Sequence, residues 1–192
     1  MKAKKVKTLR IEKDEQTFLY DTVSEEVKTE IICEGVKHTI YALPEKLDLL
    51  ERGFKYCIPR KRNMNSEAFP LLPSEIYAVS DELLALNKDS NGCIHIAGLW
   101  KNGIKYTGTD ISRHNAIYKV IGACLCEEDK PSDYVLFISG RVTASVLELC
   151  SYAGIRAVVS KGAVTELSVK MALENGISLY GFSGKGRVNR YA

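Results

Sequence analysis

The sequence lacks any long apolar run. Its mean hydropathy is −0.12, and stretches such as Tyr134 to Ile138 fall far short of the roughly 20 apolar residues that a spanning helix needs. No membrane partner is therefore expected. Charge of one sign is scarce as well: 27 Lys and Arg stand against 24 Asp and Glu, a net of +3, which neither demands nor excludes an anionic partner. No fixed-period repeat or low-complexity tract is visible, so solenoids and disordered tails drop out. No apolar stretch follows the basic start MKAKKVKTLRIEKDEQ. A secretory signal is thus not expected, and a cytoplasmic address follows. The six cysteines, Cys33, Cys57, Cys93, Cys124, Cys126 and Cys150, contain no C-x-x-C pair. In a reducing compartment they are thiols rather than a disulfide framework, and most read as small buried hydrophobes. What is present is 192 residues, 45% of them hydrophobic, enough for one core-bearing domain or one domain with a small appendage.

The chain divides by pattern. Residues 1–73 read as a β-rich part with a basic loop, and residues 74–192 as an α/β domain. The first thirteen residues hold six Lys or Arg against one Glu and read as an exposed arm or edge strand. Strands are expected at Phe18 to Val23, Glu30 to Cys33 and Lys37 to Ala42, with Glu34-Gly35 turning between the last two. A short helix from Pro44 to Arg52 would stop at Gly53. Lys55 to Pro73 is irregular, with three prolines and the cluster Arg60-Lys61-Arg62. Ile76, Val79, Leu83 and Leu86 then recur at helical spacing behind a candidate cap, Ser74. Asn102-Gly103 marks a hairpin between Cys93 to Trp100 and Ile104 to Thr107. Ser112 opens a helix with Ala116, Ile117, Val120, Ile121 and Cys124 on one face. After Pro131 the order becomes strand, helix, strand, helix, strand: Tyr134 to Ile138, Val142 to Ala153, Ile155 to Val159, Val164 to Asn175 and Ile177 to Phe182. Two all-apolar strands in that series imply a parallel or mixed sheet covered on both faces.

Ligands in such sheets sit beyond the carboxyl ends of strands. Ser139-Gly140-Arg141 and Ser160 to Thr165 occupy that position, each opening a helix whose first amides and dipole suit a phosphate or carboxylate. Arg141 adds a bidentate donor; ordinary capping by Ser139 and Ser160 is the plainer alternative. Asp110, Arg113, His114, Asn115 and Lys119 crowd a third helix start. His114 there could act as acid, base or donor, or simply belong to a polar first turn. Cys93-x-His95 and Cys124-x-Cys126 are too closely spaced for a structural zinc site, and no metal is expected. Cys57 stands near Lys55 and Arg60 to Arg62, where positive charge favours a thiolate able to accept and pass on sulfur; a packed core cysteine is the alternative. The basic clusters could touch phosphates nonspecifically, but no nucleic-acid module is recognisable and no such partner is expected.

The stretches GCIHIAGLW, DISRHNAIYKVIG, SGRVTASVLELCSYAGIRAVVSKGAVTEL, ENGISLYGF and GRVNRY, in that order and spacing, resemble the FdhD family of formate dehydrogenase accessory proteins. The resemblance covers roughly the last half of the chain. It implies a cytidine-deaminase-like fold, a mixed sheet between helices, in a homodimer without the deaminase zinc. It also implies sulfur transfer from a cysteine desulfurase to the molybdenum or tungsten pterin guanine dinucleotide cofactor of formate dehydrogenase, with GDP as an analogue of that ligand. By motif, the ligand-binding candidates are His95, Asp110, Arg113, His114, Asn115, Lys119, Ser139, Gly140, Arg141 and Thr165. Arg141, Arg113 and Lys119 are expected on the phosphates, with His114 and Asp110 orienting the ligand. Arg187 and Asn189 match polar positions of the last motif.

The departures are as informative. The family's C-x-x-C loop has no counterpart here, which leaves Cys57 as the candidate catalytic cysteine, without a resolving partner nearby. Ser112, Tyr118, Cys93, Val164 and Gly184 also replace residues usual in the family, and the upstream part is abbreviated. Two readings follow: an accessory sulfurtransferase working through Cys57, or a non-catalytic paralogue that binds the guanine nucleotide or pterin. A nucleotide deaminase is disfavoured, because H-x-E and P-C-x-x-C are missing.

Overall fold

Short continuous buried runs dictate the central layer. In β7 (Val135–Ile138) and β8 (Ala157–Ser160) every residue is buried, so both faces of this sheet are covered. The computed structural model describes residues 3–12, 15–58, 71–87, 92–184 and 186–192; the cluster Arg60-Lys61-Arg62 lies outside them. The main sheet has six strands in the order β10-β9-β8-β7-β5-β6. Its other members are β5 (His95–Trp100), β6 (Ile104–Asp110), β9 (Ser178–Gly184) and β10 (Arg187–Arg190). Strands β7, β8 and β9 are mutually parallel; β5 runs antiparallel to β7 and to β6, and β10 antiparallel to β9. The fold is therefore mixed α/β.

Helices α3 (Arg113–Cys126), α4 (Ala144–Ala153) and α5 (Glu166–Asn175) follow β6, β7 and β8. Their side chains Ile117, Val120, Ile121, Val146, Leu147 and Ala172 close a core with Leu136, Ile138 and Val158. The other sheet face, with Ile96, Val135, Phe137 and Val159, is covered by Ile76, Val79 and Leu83 of α2 (Pro73–Ala85). Each such Leu, Ile or Val side chain stabilises by about 1.5–3 kcal/mol when fully buried. Helix α2 has Leu72 at its N-cap, two residues before Ser74, the cap that the sequence suggests. Pro73 is its first residue, and the Glu75 carboxylate accepts from the Leu72 amide at 2.9 Å. Helices α4 and α5 end at Gly154 and Gly176 in the left-handed region, with φ 76° and 61°, as their sequences suggest.

The N-terminal part contributes two antiparallel ribbons, β1 (Ala3–Glu12) with β2 (Glu15–Ser24), and β3 (Val27–Cys33) with β4 (Val36–Ala42). Helix α1 spans Leu47–Tyr56, so Gly53 is not its stop. A Cβ at Gly53 would stand 1.8 Å from the Tyr118 carbonyl oxygen, and one at Gly122 would stand 2.0 Å from that of Leu49. The two glycines let the backbones of α1 and α3 touch, a tertiary demand that a local reading takes for a terminator. The end of α3 is tied down by Asp129, whose Oδ2 accepts from Lys105 Nζ at 2.7 Å and from the Tyr106 and Tyr134 hydroxyls at 2.5 Å each.

Candidate functional site

The carboxyl ends of β7, β8 and β9 lie side by side, and the loops leaving the first two are laced together. Ser139 extends the sheet: its amide donates to Ile96 O and its hydroxyl accepts from Ile96 N, both at 3.0 Å. Ser160 donates to Gly140 O at 2.6 Å, and Gly162 N donates back to Ser160 Oγ at 2.9 Å. Val142 N donates to Ala163 O, and Thr165 N to Val142 O, at 3.0 and 3.1 Å. Thr165 caps α5, its hydroxyl accepting from Ser168 N at 3.4 Å. The hydroxyls of Ser139 and Thr165 are thus engaged in building the loops.

The lacing presents two helix starts to each other. Neither Ser112 before α3 nor Thr143 before α4 makes a side-chain capping bond. Their side-chain partners reach across the gap instead: Arg113 Nη2 donates to Thr143 Oγ1 at 3.4 Å, and His114 Nε2 meets Ser145 Oγ at 2.9 Å. Two helix starts without a side-chain cap, each at the positive end of a helix dipole, thus stand within side-chain reach of each other, and the region between them is the candidate cleft. Arg113 Nε is buried there without a hydrogen-bond partner among the described residues, a costly state for a charged donor. Arg141 flanks the cleft and is exposed. A Cβ on Gly140 would stand 3.1 Å from His95 Nδ1 and 3.2 Å from Arg113 Cβ. The absent side chain is what lets the loop close on both residues.

Burial, and after it the guanidiniums of Arg113 and Arg141, hold the His95 imidazole below the usual histidine range. Burial and Arg113 do the same for His114. Both rings are neutral at pH 7, so the positive charge of the cleft resides in the two arginines and the helix ends. An anion suits this arrangement, and an imidazolium does not.

Three of the motif residues serve elsewhere. Asp110 is 0% exposed, Lys119 1% and Asn115 5%. Lys119 Nζ pairs with Asp110 Oδ2 at 2.7 Å and donates to Leu43 O and Thr109 O at 3.3 and 3.4 Å. Its three donors are accounted for. Asp110 also accepts from Leu43 N, Ser112 N and Asn115 Nδ2, and Asn115 Nδ2 reaches Tyr41 O at 2.7 Å. Lys119, expected on phosphate, and Asp110, expected to orient the ligand, are both engaged in this buried network. This buried network bolts the end of β4 beneath the start of α3, and so positions Arg113 and His114 without facing the cleft.

Cys57 closes α1, is 7% exposed and belongs to the main core. The neighbours it influences are Cys150 and Tyr118, whose ionisation its own charge would oppose. At the end of β9, Lys161, Phe182, Ser183, Gly184 and Arg187 line a further cavity of about 330 Å³. Arg187 lies 4.9 Å above the Phe182 ring, and Phe182 holds a left-handed φ of 54°, strain of the kind found at functional positions. Asn189 donates to the Tyr191 hydroxyl at 3.2 Å. The sequence reading missed Thr143, Ser145, Lys161 and Phe182. Lys161 sat inside a loop already singled out, and only the backbone angle marks Phe182.

The family model described as FdhD/NarQ matches residues 57–192, a span that contains the residues above except Tyr41 and Leu43. The chain belongs to the FdhD/NarQ family. It is 35% identical over 128 residues to the "Sulfur carrier protein FdhD" of Bacillus subtilis (strain 168), covering 62% of this chain and 49% of that one. Against the Bacillus pumilus (strain SAFR-032) protein of the same name it is 41% identical over 92 residues, 47% of this chain and 35% of that one. Against "Protein FdhD" of Methanocaldococcus jannaschii it is 31% identical over 116 residues, 59% and 51% of the two chains. The chain thus spans about a third to a half of the length of these curated relatives. Its fold is similar to the crystal structure of a protein provisionally assigned as a formate dehydrogenase accessory protein, from Desulfotalea psychrophila. That match has a TM-score of 0.84 over 98% of this chain and 96% of that one, at 22% identity. Among the described residues, no group of three or more His, Cys, Asp or Glu could hold a metal ion. No described helix is long and apolar enough to cross a membrane.

Proposed function

We propose that this FdhD-family chain is a formate dehydrogenase accessory protein that grips the pterin guanine dinucleotide cofactor by its phosphates. One observation carries the reading: the uncapped starts of α3 and α4 face each other around a buried Arg113 Nε that has no hydrogen-bond partner among the described residues. A diphosphate satisfies the orphan donor and engages both sets of amides. The residues present fit that part of the cofactor. Arg113 and Arg141 take phosphate oxygens, and the first turns of α3 and α4 add amide donors. The neutral His95 and His114 rings orient the group by hydrogen bonds, and Gly140 leaves the loop room to close. When bound, the cofactor supplies the molybdenum or tungsten chemistry of the client enzyme; this chain binds and orients it. The same reading makes the protein a cytoplasmic homodimer whose client is a formate dehydrogenase or related molybdoenzyme. Calorimetric titration tests the grip. GDP binds and guanosine, which lacks the phosphates, binds far more weakly; equal affinities contradict the proposal.

A second reading is supported by the relatives' name, sulfur carrier. Here Cys57 accepts sulfur from a cysteine desulfurase and relays it to the cofactor. It requires Cys57, 7% exposed, to become accessible at the end of α1.

A further inference from the structure

Among the described residues, the β1–β2 ribbon has no third strand beside it, and eight of the ten β2 residues are exposed. Phe18 is 68% exposed and Tyr20 70%. A two-stranded ribbon is marginal in water by itself, and its open edges are templates for another strand. The two edges differ in charge. Strand β1 carries Lys4, Lys5, Lys7 and Arg10, the blocking residues that keep an edge single. Strand β2 carries only Glu15 and Asp21 among Thr, Phe, Leu, Tyr and Val, which is good strand composition. We propose that two copies of this chain join through β2, edge to edge and antiparallel, into one four-stranded sheet.

The occupant follows from charge and register. A β1 edge offered to a second β1 would set cations against cations, which destabilises a strand pair. A twofold axis normal to the sheet requires facing residues to share a face. Centring β2 on Leu19 then sets Phe18 of one copy beside Tyr20 of the other, twice. It also sets Glu15 against Val23 and Asp21 against Thr17, so no like charges meet. Centring on Phe18 would set Glu15 against Asp21. The aromatic pairs thus favour the Leu19 register, and the cations of β1 lie on the two outer edges. This inference rests on the homodimer in the reading above and specifies its interface. It is independent of the phosphate cleft, which GDP titration reads separately.

Sedimentation velocity on the full chain tests it. The wild type sediments as a dimer. Phe18→Glu combined with Tyr20→Glu puts like charges at both pairs, sets an anion opposite Lys7 within the ribbon, and gives a monomer with unchanged circular dichroism. Phe18→Lys combined with Tyr20→Glu puts unlike charges at the same pairs and restores the dimer. A monomeric wild type, a dimeric double-glutamate variant or a monomeric lysine–glutamate variant each overturns the proposal. Hydrogen exchange on the unmodified protein gives a second measure: protection of the β2 amides falls on dilution. Concentration-independent exchange overturns it.

Discussion

Asp110 and Lys119 form an ion pair of 2.7 Å with neither side chain open to water, 0% and 1% exposed. Their remaining bonds run to the backbone of Leu43, Thr109 and Ser112 and to the Asn115 side chain, so one pair holds both the end of the N-terminal ribbon and the start of α3. The start of α3 carries Arg113 and His114 into the cleft. Charge placement at the start of α3 thus depends on two residues buried beneath it.

Breaking this pair from one side leaves a buried charge unpaired. Lys119→Met or Asp110→Leu is expected to lower stability by about 3–5 kcal/mol. Replacing both in one chain is expected to cost much less than the sum. Urea unfolding of the two single variants and the double variant checks this, and additive losses would contradict the pairing.

The contact of α1 with α3 makes a second structural prediction. Gly53→Ala or Gly122→Ala forces a methyl onto a carbonyl oxygen at 1.8 or 2.0 Å, and the helices must part. Each substitution is expected to cost about 1–3 kcal/mol or more. Gly35→Ala, which meets nothing within 4 Å, costs only the strain of its φ of +79°. Thermal melts of the three variants rank them.

Depressed histidines make the cleft sensitive to pH. The folded values of His95 and His114 lie below the ordinary 6.5, so the unfolded chain binds these protons first. Stability without ligand is therefore intact above pH 6.5 and falls as pH drops below it. A bound phosphate opposes the arginines and raises both rings, so the two histidines contribute proton uptake to GDP binding, opposite in sign to the protons that the GDP phosphate itself gives up. Titration calorimetry in buffers of different ionisation enthalpy measures that uptake. His95→Gln with His114→Gln abolishes it.

The burial of Cys57 makes sulfur loading discriminating. After incubation with a desulfurase and cysteine, the binding reading predicts no added mass of about 32 Da on Cys57, one sulfur atom per thiolate. An adduct on the folded wild type that Cys57→Ala removes supports the relay reading.

The cleft was largely legible in the sequence. A glycine-bearing loop between an apolar strand and a helix start marks a carboxyl-end site, and Ser139-Gly140-Arg141 sits in that position. Which side of a helix start faces the ligand was harder to read. Asn115 and Lys119 are four residues apart and share a face, one that here meets β4 rather than solvent. Arg113 and His114 point the other way. That division could have been suspected from the helical period, but the motif places all of them in one string. Gly53 was misread because a close approach to another helix leaves no local trace. The four-residue β10, with two arginines and an asparagine, is too short and polar to register as a strand.

Titration of the full chain with GDP, compared with the Arg141→Ala variant, tests the central claim most directly. Arg141 is exposed, so its removal leaves the fold intact and reads only the phosphate contact. The proposed grip predicts at least a tenfold loss of affinity, about 1.4 kcal/mol, with an unchanged melting temperature. Unchanged affinity for GDP in the variant would contradict it.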